Sequence, residues 1–487
     1  MKIAMVATEM APLAKVGGLA DVVGALPQAL ARLGHDVVVV LPRYASIDAA
    51  RHGIRTKDGV TSAQLEAGTN QTGKKAGLTV YLVEGPSHFD RAGIYNDPKD
   101  GKGYPDNDER FIFFQRAALE LLRKVSFRPD VIHCHDHQTA LIPAYLRMGY
   151  DRERYFNMSA TLFTVHNLGY QGLFPPRTLE LAGFDRSLFH PGSAFEFYGQ
   201  VNFMKIGLVY ADAITTVSPT YAKEICGPEQ GSGLEGVLQT RQADLYGVLN
   251  GIDDTYWHPA VDPHIKDHYT AANLKGKAAC RKALLAAMDL PAPRKRTPVI
   301  GVISRLTGQK GFDLVQKVLP ELMERGALMV VLGAGEESFV QMFKDAAARY
   351  PKQVAARIGF DEQLAHLIEA GSDMFLMPSR YEPCGLNQMY SLAYGTVPIV
   401  RHTGGLADTV REGGDRGNGF IFRKYDAGEL LAAADRALQA FQDKQGWEAL
   451  MKRGMEVDCS WSAPARAYEK IYAEISARVR GRVASAV

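Results

Sequence analysis

Short apolar, β-branched runs alternate with longer stretches of helical periodicity along most of this chain, and the alternation occurs twice. Lys2–Thr8, Asp36–Leu41, Leu78–Val83, Asp130–Cys134 and Thr161–Val165 read as buried parallel strands, with helical patterns such as Leu19–Arg32, Asp108–Lys124 and Thr139–Arg147 between them. After about residue 290 the rhythm restarts, with strands at Pro298–Ile303, Ala327–Leu332, Met374–Met377 and Val397–Val400 and helices at Leu314–Glu324, Glu337–Arg349, Glu362–Ala370 and Asn387–Tyr394. Such alternation implies parallel sheets with helices on both faces, and two rounds of it imply two doubly wound α/β domains. The 487 residues are enough for two or three cores at roughly 150 residues each.

The seam falls at Leu249–Pro259, a cluster of turn formers, and the segment from about Ser460 reads as a helix that returns to the first domain. The expected division is 1–248, 249–459 and 460–487. Lys57–Lys75 and Asn96–Asn107 read as surface loops, and the basic tail Arg478–Arg482 as a solvated end.

Charge and composition exclude several classes. Fifty-six Lys and Arg against 54 Asp and Glu leave +2, which argues against a basic nucleic-acid binder. No apolar run reaches the roughly 18 residues of a membrane helix. Glu9 cuts the opening apolar run short, so Met1–Ala7 reads as a first strand and not as a signal or transit segment. Five scattered cysteines without a CxxC pair suit free thiols in a reducing cytoplasm.

Several segments can carry chemistry. Gly-Gly-Leu-Ala-Asp occurs at 17–21 and again at 404–408, each opening a helix. Paired glycines there either cradle an anion on bare N–H groups or make two tight turns. Ser304–Gly311 follows a strand and sets Arg305 and Lys310 five residues apart, a planar fork and a point charge suited to a diphosphate, or else a solvated basic loop. Ser379–Gln388 places Glu382 and Gly385 just past another strand, where open α/β sheets hold their chemistry. His166 and Asn167 close the Thr161–Val165 strand ahead of a glycine-rich loop.

Other patterns fall short. Gly333-Ala334-Gly335 lacks the third glycine of a dinucleotide fingerprint, since Ser338 stands there, and no GxxxxGKS/T exists. His133, His135 and His137 would share one face of a strand and could hold zinc, but the run is one residue too short for HxHxDH and its place at a strand end is the usual one for substrate polar groups. Asp106-Asn107-Asp108 has the form of a metal motif but sits where a turn and helix N-cap are expected.

Together these segments resemble the bacterial glycogen synthase and starch synthase family, retaining glucosyltransferases of the GT-B type. The resemblance runs almost end to end, through Lys15–Asp21, Thr164–Asn167, Phe197–Ile225, Leu249–Asp253, Ser304–Leu314, Pro378–Gln388 and Thr403–Val410. It implies two Rossmann-like domains facing across a cleft, an acceptor-side domain of the starch synthase catalytic type followed by a nucleotide-sugar domain of the glycosyltransferase group 1 type. It implies transfer of glucose from ADP-glucose to an α-1,4-glucan (glycogen) by a cytoplasmic enzyme, with no metal or other cofactor and no nucleic-acid or membrane partner.

The resemblance also assigns residues. Arg305 and Lys310 would neutralise the departing diphosphate, Glu382 would lie near the transferred glucose, and Asp136 and His166 would complete the catalytic set. Lys15, Gly17, Gly18 and Asp21 of the first glycine loop would face the donor. Asn167, Asn250, Cys384, Gly385 and Leu386 would line the same site, and Phe360 would stack on adenine. Tyr95, Tyr104, Tyr170 and Phe174 are loop aromatics that could meet the glucan or simply pack. Three positions depart from the family pattern: His137 replaces a common Trp, Asn387 a common Thr, and Tyr390 a second carboxylate.

The residues alone leave alternatives open. UDP-glucose as donor, another α-glucoside as product, a glucan-binding scaffold without activity and a nicotinamide oxidoreductase all stand beside this reading, the last weakened by the broken fingerprint. Retention itself admits a covalent intermediate on Glu382 or front-face attack.

Overall fold

The computed structural model describes residues 1–487 apart from 71, 72, 74, 150–154, 293–295 and 486–487. They divide into two compact units, Met1–Asn250 with Trp461–Val487, and Gly251–Ser460.

Unit 1 contains β1 (Lys2–Val6), β2 (Asp36–Pro42), β3 (Arg55–Lys57), β4 (Val60–Thr69), β5 (Lys75–Val83), β6 (Val131–His135), β7 (Ala160–Val165), β8 (Leu173–Phe174), β9 (Val201–Asn202), β10 (Ala213–Thr216) and β11 (Leu245–Gly247). Its main sheet has the order β11-β10-β7-β6-β1-β2-β5-β4-β3, and β8 pairs with β9 in a small hairpin. From β11 to β5 the pairing is parallel, and β4 and β3 add an antiparallel edge. Every residue of β6 and β7 is buried, as expected of parallel strands covered on both faces. The chain winds outward from β1 in one direction to β2 and later in the other to β6. The loops leaving β1 and β6 therefore flank a topological switch point, where open sheets bind ligands.

Unit 2 holds β12 (Val299–Ile303), β13 (Leu328–Gly333), β14 (Val354–Ile358), β15 (Met374–Met377), β16 (Val397–Arg401) and β17 (Phe420–Phe422) in the order β14-β13-β12-β15-β16-β17. All of its pairings are parallel. The switch point here lies between β12 and β15, the strands followed by Arg305–Lys310 and by Glu382.

Two expectations need correction. Lys57–Lys75 is not a surface loop: β4 occupies most of it and pairs with β5, and residues 71, 72 and 74 lie outside those described. Its inward residues include Ala63 and Ala67, too small to give the stretch an apolar signature. The basic tail is not a solvated end either. The helix Ser462–Ser485 buries Ala465, Tyr468, Ile471, Tyr472, Ile475 and Val479 in unit 1, a helical stripe with the expected three-to-four spacing. Beyond that stripe Arg478 binds Asp244 at 2.7 Å, Arg480 binds Asp130 at 2.7 Å, and Arg482 binds Asp212. Among the described residues no helix is long and apolar enough to cross a membrane.

Candidate active site

In unit 2 a single glycine lets two strand-end loops meet. Gly311 has φ +78°, and a Cβ there would stand 2.0 Å from the Pro378 carbonyl oxygen. With that contact made, Arg380 N–H donates to Gln309 O at 2.8 Å, and Gln309 Nε2 to Tyr381 O at 3.2 Å. The closure brings Lys310 Nζ to 2.6 Å from Glu382 Oε2, while Ser379 Oγ donates to the same oxygen at 2.9 Å. The Glu382 side chain is 6% exposed and that of Lys310 18%, so the pair is largely shielded but within reach of a ligand. Arg305 is exposed on the same loop as Lys310. Cys384 is buried, Gly385 turns with φ +72°, and Leu386 leads into the helix Asn387–Ala393. Arg305, Lys310, Glu382, Cys384, Gly385 and Leu386 thus gather at the switch point. Phe360 follows Gly359, whose N–H donates to Gly333 O at 2.9 Å, and its ring is 82% exposed.

The broken dinucleotide pattern has a structural explanation. Cβ atoms on Gly333 and Gly335 would lie 2.1 Å from Ser304 O and 2.3 Å from Leu306 O. These glycines admit the Arg305 loop against the end of β13. The two copies of Gly-Gly-Leu-Ala-Asp sit in different surroundings. A Cβ on Gly404 would stand 1.8 Å from Glu382 O and one on Gly405 2.1 Å from Cys384 O, so the second copy packs on the Glu382 loop. Around Gly17 a Cβ would meet nothing within 4 Å.

In unit 1 the loop after β1 is organised by Glu9, which the sequence reading uses only to end an apolar run. Its carboxylate is 4% exposed; Oε2 accepts the N–H groups of Val16 (2.6 Å) and Gly17 (2.8 Å), and Oε1 accepts Tyr95 OH (2.7 Å). Burial raises this carboxyl above its ordinary value. Two amides of the first glycine loop, Val16 and Gly17, are therefore occupied by a carboxylate of the chain itself. Lys15 Nζ, on the same loop, lies 2.6 Å from Asp21 Oδ1, and Gly18 opens the helix Gly18–Arg32. The signal that finds Glu9 is its position, a carboxylate directly past a strand at the switch point.

After β6, Asp136 adopts φ 58° and ψ −179°, a backbone conformation seldom seen outside glycine. Its Oδ1 accepts the His166 N–H at 2.7 Å, and the Asn167 N–H also bonds to the carboxylate. Burial pushes the Asp136 carboxyl up to about 7 against the pull of those two amides. His166 Nε2 lies 2.9 Å from His135 Nδ1, and burial drives His166 down to about 3. Asn167 Oδ1 accepts the Gly169 N–H at 3.0 Å, fixing the turn. Asn250, which closes the unit, is buried with Oδ1 unpartnered among the described residues.

The zinc pattern does not assemble. His133 is taken by Tyr472 OH at 2.8 Å and Thr164 Oγ1 at 2.6 Å, and His137 has left the strand to bond Tyr170 O at 2.9 Å. Among the described residues no three His, Cys, Asp or Glu side chains are grouped to hold a metal. Asp106 does precede the helix Asn107–Lys124 but makes no cap bond, because its carboxylate grips Arg91 through both oxygens at 2.7 and 2.5 Å. At the departures from the family pattern, His137 packs its ring on Gly172, where a Cβ would come within 2.5 Å. Asn387 Nδ2 reaches Ile303 O at 3.4 Å, and Tyr390 stacks on Trp257 at 4.0 Å. Of the four loop aromatics, Tyr95 is held by Glu9, Tyr104 lies beneath Arg91 and Arg110, and Phe174 packs on Phe203. Tyr170 keeps 52% of its surface exposed; Tyr198, which the sequence reading passes over, keeps 83%.

Residues 2–240 match the family model for the starch synthase catalytic domain and residues 289–447 that for glycosyl transferases group 1. The chain is 47% identical to a glycogen synthase of Geotalea uraniireducens over 99% of its length and all of that protein's. It is 49% identical to one of Anaeromyxobacter dehalogenans, covering 97% of this chain and 99% of the relative. Among solved structures it resembles the catalytic domain of starch synthase IV from Arabidopsis thaliana bound to ADP and acarbose, with 34% identity, a TM-score of 0.88 and coverage of 98% and 99%. A sucrose-phosphate synthase from Thermosynechococcus elongatus, 16% identical with a TM-score of 0.61, shares the fold.

Proposed function

The chain belongs to the glycogen synthase and starch synthase family of glucosyltransferases, with the GT-B fold of that family, and we propose that it transfers glucose from ADP-glucose to the non-reducing end of an α-1,4-glucan with retention of configuration, releasing ADP. One observation carries the proposal: Lys310 and Glu382 meet at 2.6 Å at the switch point of unit 2, on loops that also hold Arg305 and Gly385.

Breaking the bond between C1 of glucose and the diphosphate leaves an electron pair on ADP and positive charge at C1. Arg305 and Lys310 offset the first, and each fixed donor of this kind contributes about 3 kcal/mol. Lys15 is assigned the same task on the family resemblance. Glu382 offsets the charge at C1 and orients the sugar. In the front-face path the acceptor 4-hydroxyl oxygen bonds to C1 as the C1–O bond breaks, and its proton passes to the departing phosphate oxygen. The balance closes without a metal or cofactor. On the family resemblance, Asp136, His166, Asn167 and Asn250 are assigned to sugar hydroxyls, Gly17, Gly18, Asp21, Cys384, Gly385 and Leu386 to the donor side, and Phe360 to the base. The ADP assignment draws on the plant starch synthase solved with ADP and acarbose. Five free thiols support a reducing, cytoplasmic setting.

The test is incorporation of labelled glucose into glycogen from ADP-glucose and from UDP-glucose, with EDTA present. Incorporation from ADP-glucose in EDTA is the expected result. Incorporation from UDP-glucose alone would overturn the donor assignment. No incorporation from either, with the protein retained on a glucan column, would favour a binding scaffold.

A further inference from the structure

His135 ends β6 and His166 follows β7, and their rings meet with Nδ1 of His135 2.9 Å from Nε2 of His166. At that distance one nitrogen donates and the other accepts. Burial holds both imidazoles well below their ordinary pKa, so at neutral pH each carries one proton, on one nitrogen or the other.

The other two nitrogens decide which ring donates. His135 Nε2 is buried without a hydrogen-bond partner among the described residues. The nearest imidazole, His133, is 4.0 Å away between ring centroids but has both nitrogens engaged, by Tyr472 OH and Thr164 Oγ1. A proton on His135 Nε2 would therefore be a buried N–H without an acceptor, a rarer defect in folded proteins than an unmatched lone pair. The proton belongs on Nδ1, where it bonds to His166. His166 Nε2 is then the acceptor, and its own proton must sit on Nδ1. Among the described residues no carboxylate pairs with the His166 ring, and the Asp136 Oδ1 is taken by the His166 backbone N–H.

We propose that His135 is a positioning residue that locks His166 in the Nδ1–H tautomer, so that His166 offers the substrate a neutral hydrogen-bond donor and takes no proton from it. The tautomer stands on the geometry of unit 1 alone; its kinetic consequence rests on the glucosyl-transfer reading. A neutral donor suits a sugar hydroxyl oxygen that must be held without being activated.

The test is 15N NMR of the full chain labelled at histidine, with the His166 signals assigned by their loss in His166→Gln. The expected spectrum has a pyrrole-type Nδ1 and a pyridine-type Nε2 at His166. The reverse pattern would overturn the proposal outright. In His135→Ala, His166 should redistribute toward Nε2–H, and kcat for glucosyl transfer should fall about tenfold with donor KM little changed, the worth of one hydrogen bond. His135→Asn, whose amide can donate from about the Nδ1 position, should recover most of the tautomer and of kcat. Should His135→Ala fail to fold, the wild-type spectrum decides by itself. An alanine variant that folds with the His166 tautomer unmoved would also overturn the proposal. The expected spectrum in a chain inactive toward both sugar nucleotides would leave the tautomer standing and remove the transfer reading instead.

Discussion

Lys310 Nζ rests 2.6 Å from Glu382 Oε2, with Ser379 Oγ on the same carboxylate oxygen. The two residues are 72 positions apart and meet because β12 and β15 are neighbours in the sheet. A cation held this way is fixed before any ligand arrives, which is the condition under which an electrostatic donor acts without reorganisation.

Replacing Lys310 by Ala should lower kcat by about a hundredfold or more, the range seen when one preorganised donor is lost. It also strands a carboxylate that is only 6% exposed, with Ser379 as its remaining side-chain partner among the described residues. Stability should fall by about 2 kcal/mol, less than for a fully buried pair because Lys310 is partly open to solvent. Steady-state kinetics and urea denaturation separate the two effects. An enzyme with unchanged turnover would end the diphosphate assignment.

Asp136 sets a pH dependence whose sign follows from its raised pKa. From an ordinary 3.8 its carboxyl is pushed to about 7 by burial, so in that window the folded chain keeps a proton that the unfolded chain has released. The contribution to stability is complete below about pH 4 and is lost as pH rises toward about 7. Asp136→Asn removes the titration. The stability of the variant relative to wild type should therefore climb across this window and level off above it. The raised carboxyl of Glu369 cancels in the difference, whereas Glu9, whose charge adds to the rise at Asp136, is coupled to it and shares in the change. A flat difference between pH 4 and 7 would show that the carboxyl is ionised throughout.

The second Gly-Gly pair should tolerate no side chain. Gly404 combines φ +45° with a Cβ position 1.8 Å from Glu382 O, and the obstacle is backbone. Gly404→Ala should cost about 3 kcal/mol or more and displace the Glu382 loop, lowering kcat together with stability. Gly17→Ala, with nothing within 4 Å, should leave stability within about 0.5 kcal/mol. Differential scanning calorimetry of the two variants compares them directly.

What the sequence disclosed follows from how each feature is encoded. β12, β13, β15 and β16 are continuous apolar runs buried on both faces and are legible as such. The edge strand β14, Val-Ala-Ala-Arg-Ile, is only partly buried and Ala-rich, so its composition carries no strand signal. Lys310 and Glu382 were legible as residues because loops after buried strands are where ligands bind, but their ion pair depends on strand order, which sequence spacing does not contain. Glu9 was passed over because its partners, Val16, Gly17 and Tyr95, come from a loop and from a residue 86 positions away. Gly404 was legible as part of a tight turn or an anion cradle but not as a packing contact, for the same reason: the backbone it must clear belongs to the Glu382 loop.

The C-terminal arginines give the last prediction, and it turns on how buried each partner is. Asp130 and Asp244 have side chains 31% and 26% exposed, so their pairs with Arg480 and Arg478 are screened. Asp212 is 6% exposed and does more: Oδ2 accepts Thr161 N–H at 2.8 Å and Thr161 Oγ1 at 2.9 Å, while Oδ1 takes Arg147 and Arg482. Changing Arg478, Arg480 and Arg482 together to Gln should cost about 1–2 kcal/mol at low salt and little at 1 M salt, where the Debye length is about 3 Å. Asp212→Ala should cost about 3 kcal/mol at either salt, because it leaves the buried Thr161 amide without an acceptor. Hydrogen exchange of the Ser462–Ser485 helix amides reads both locally, without assuming that the two units unfold together. If the triple variant exchanges like wild type at low salt, the three arginine pairs add nothing to stability, and the burial of Tyr472 and its neighbours alone holds the helix in place.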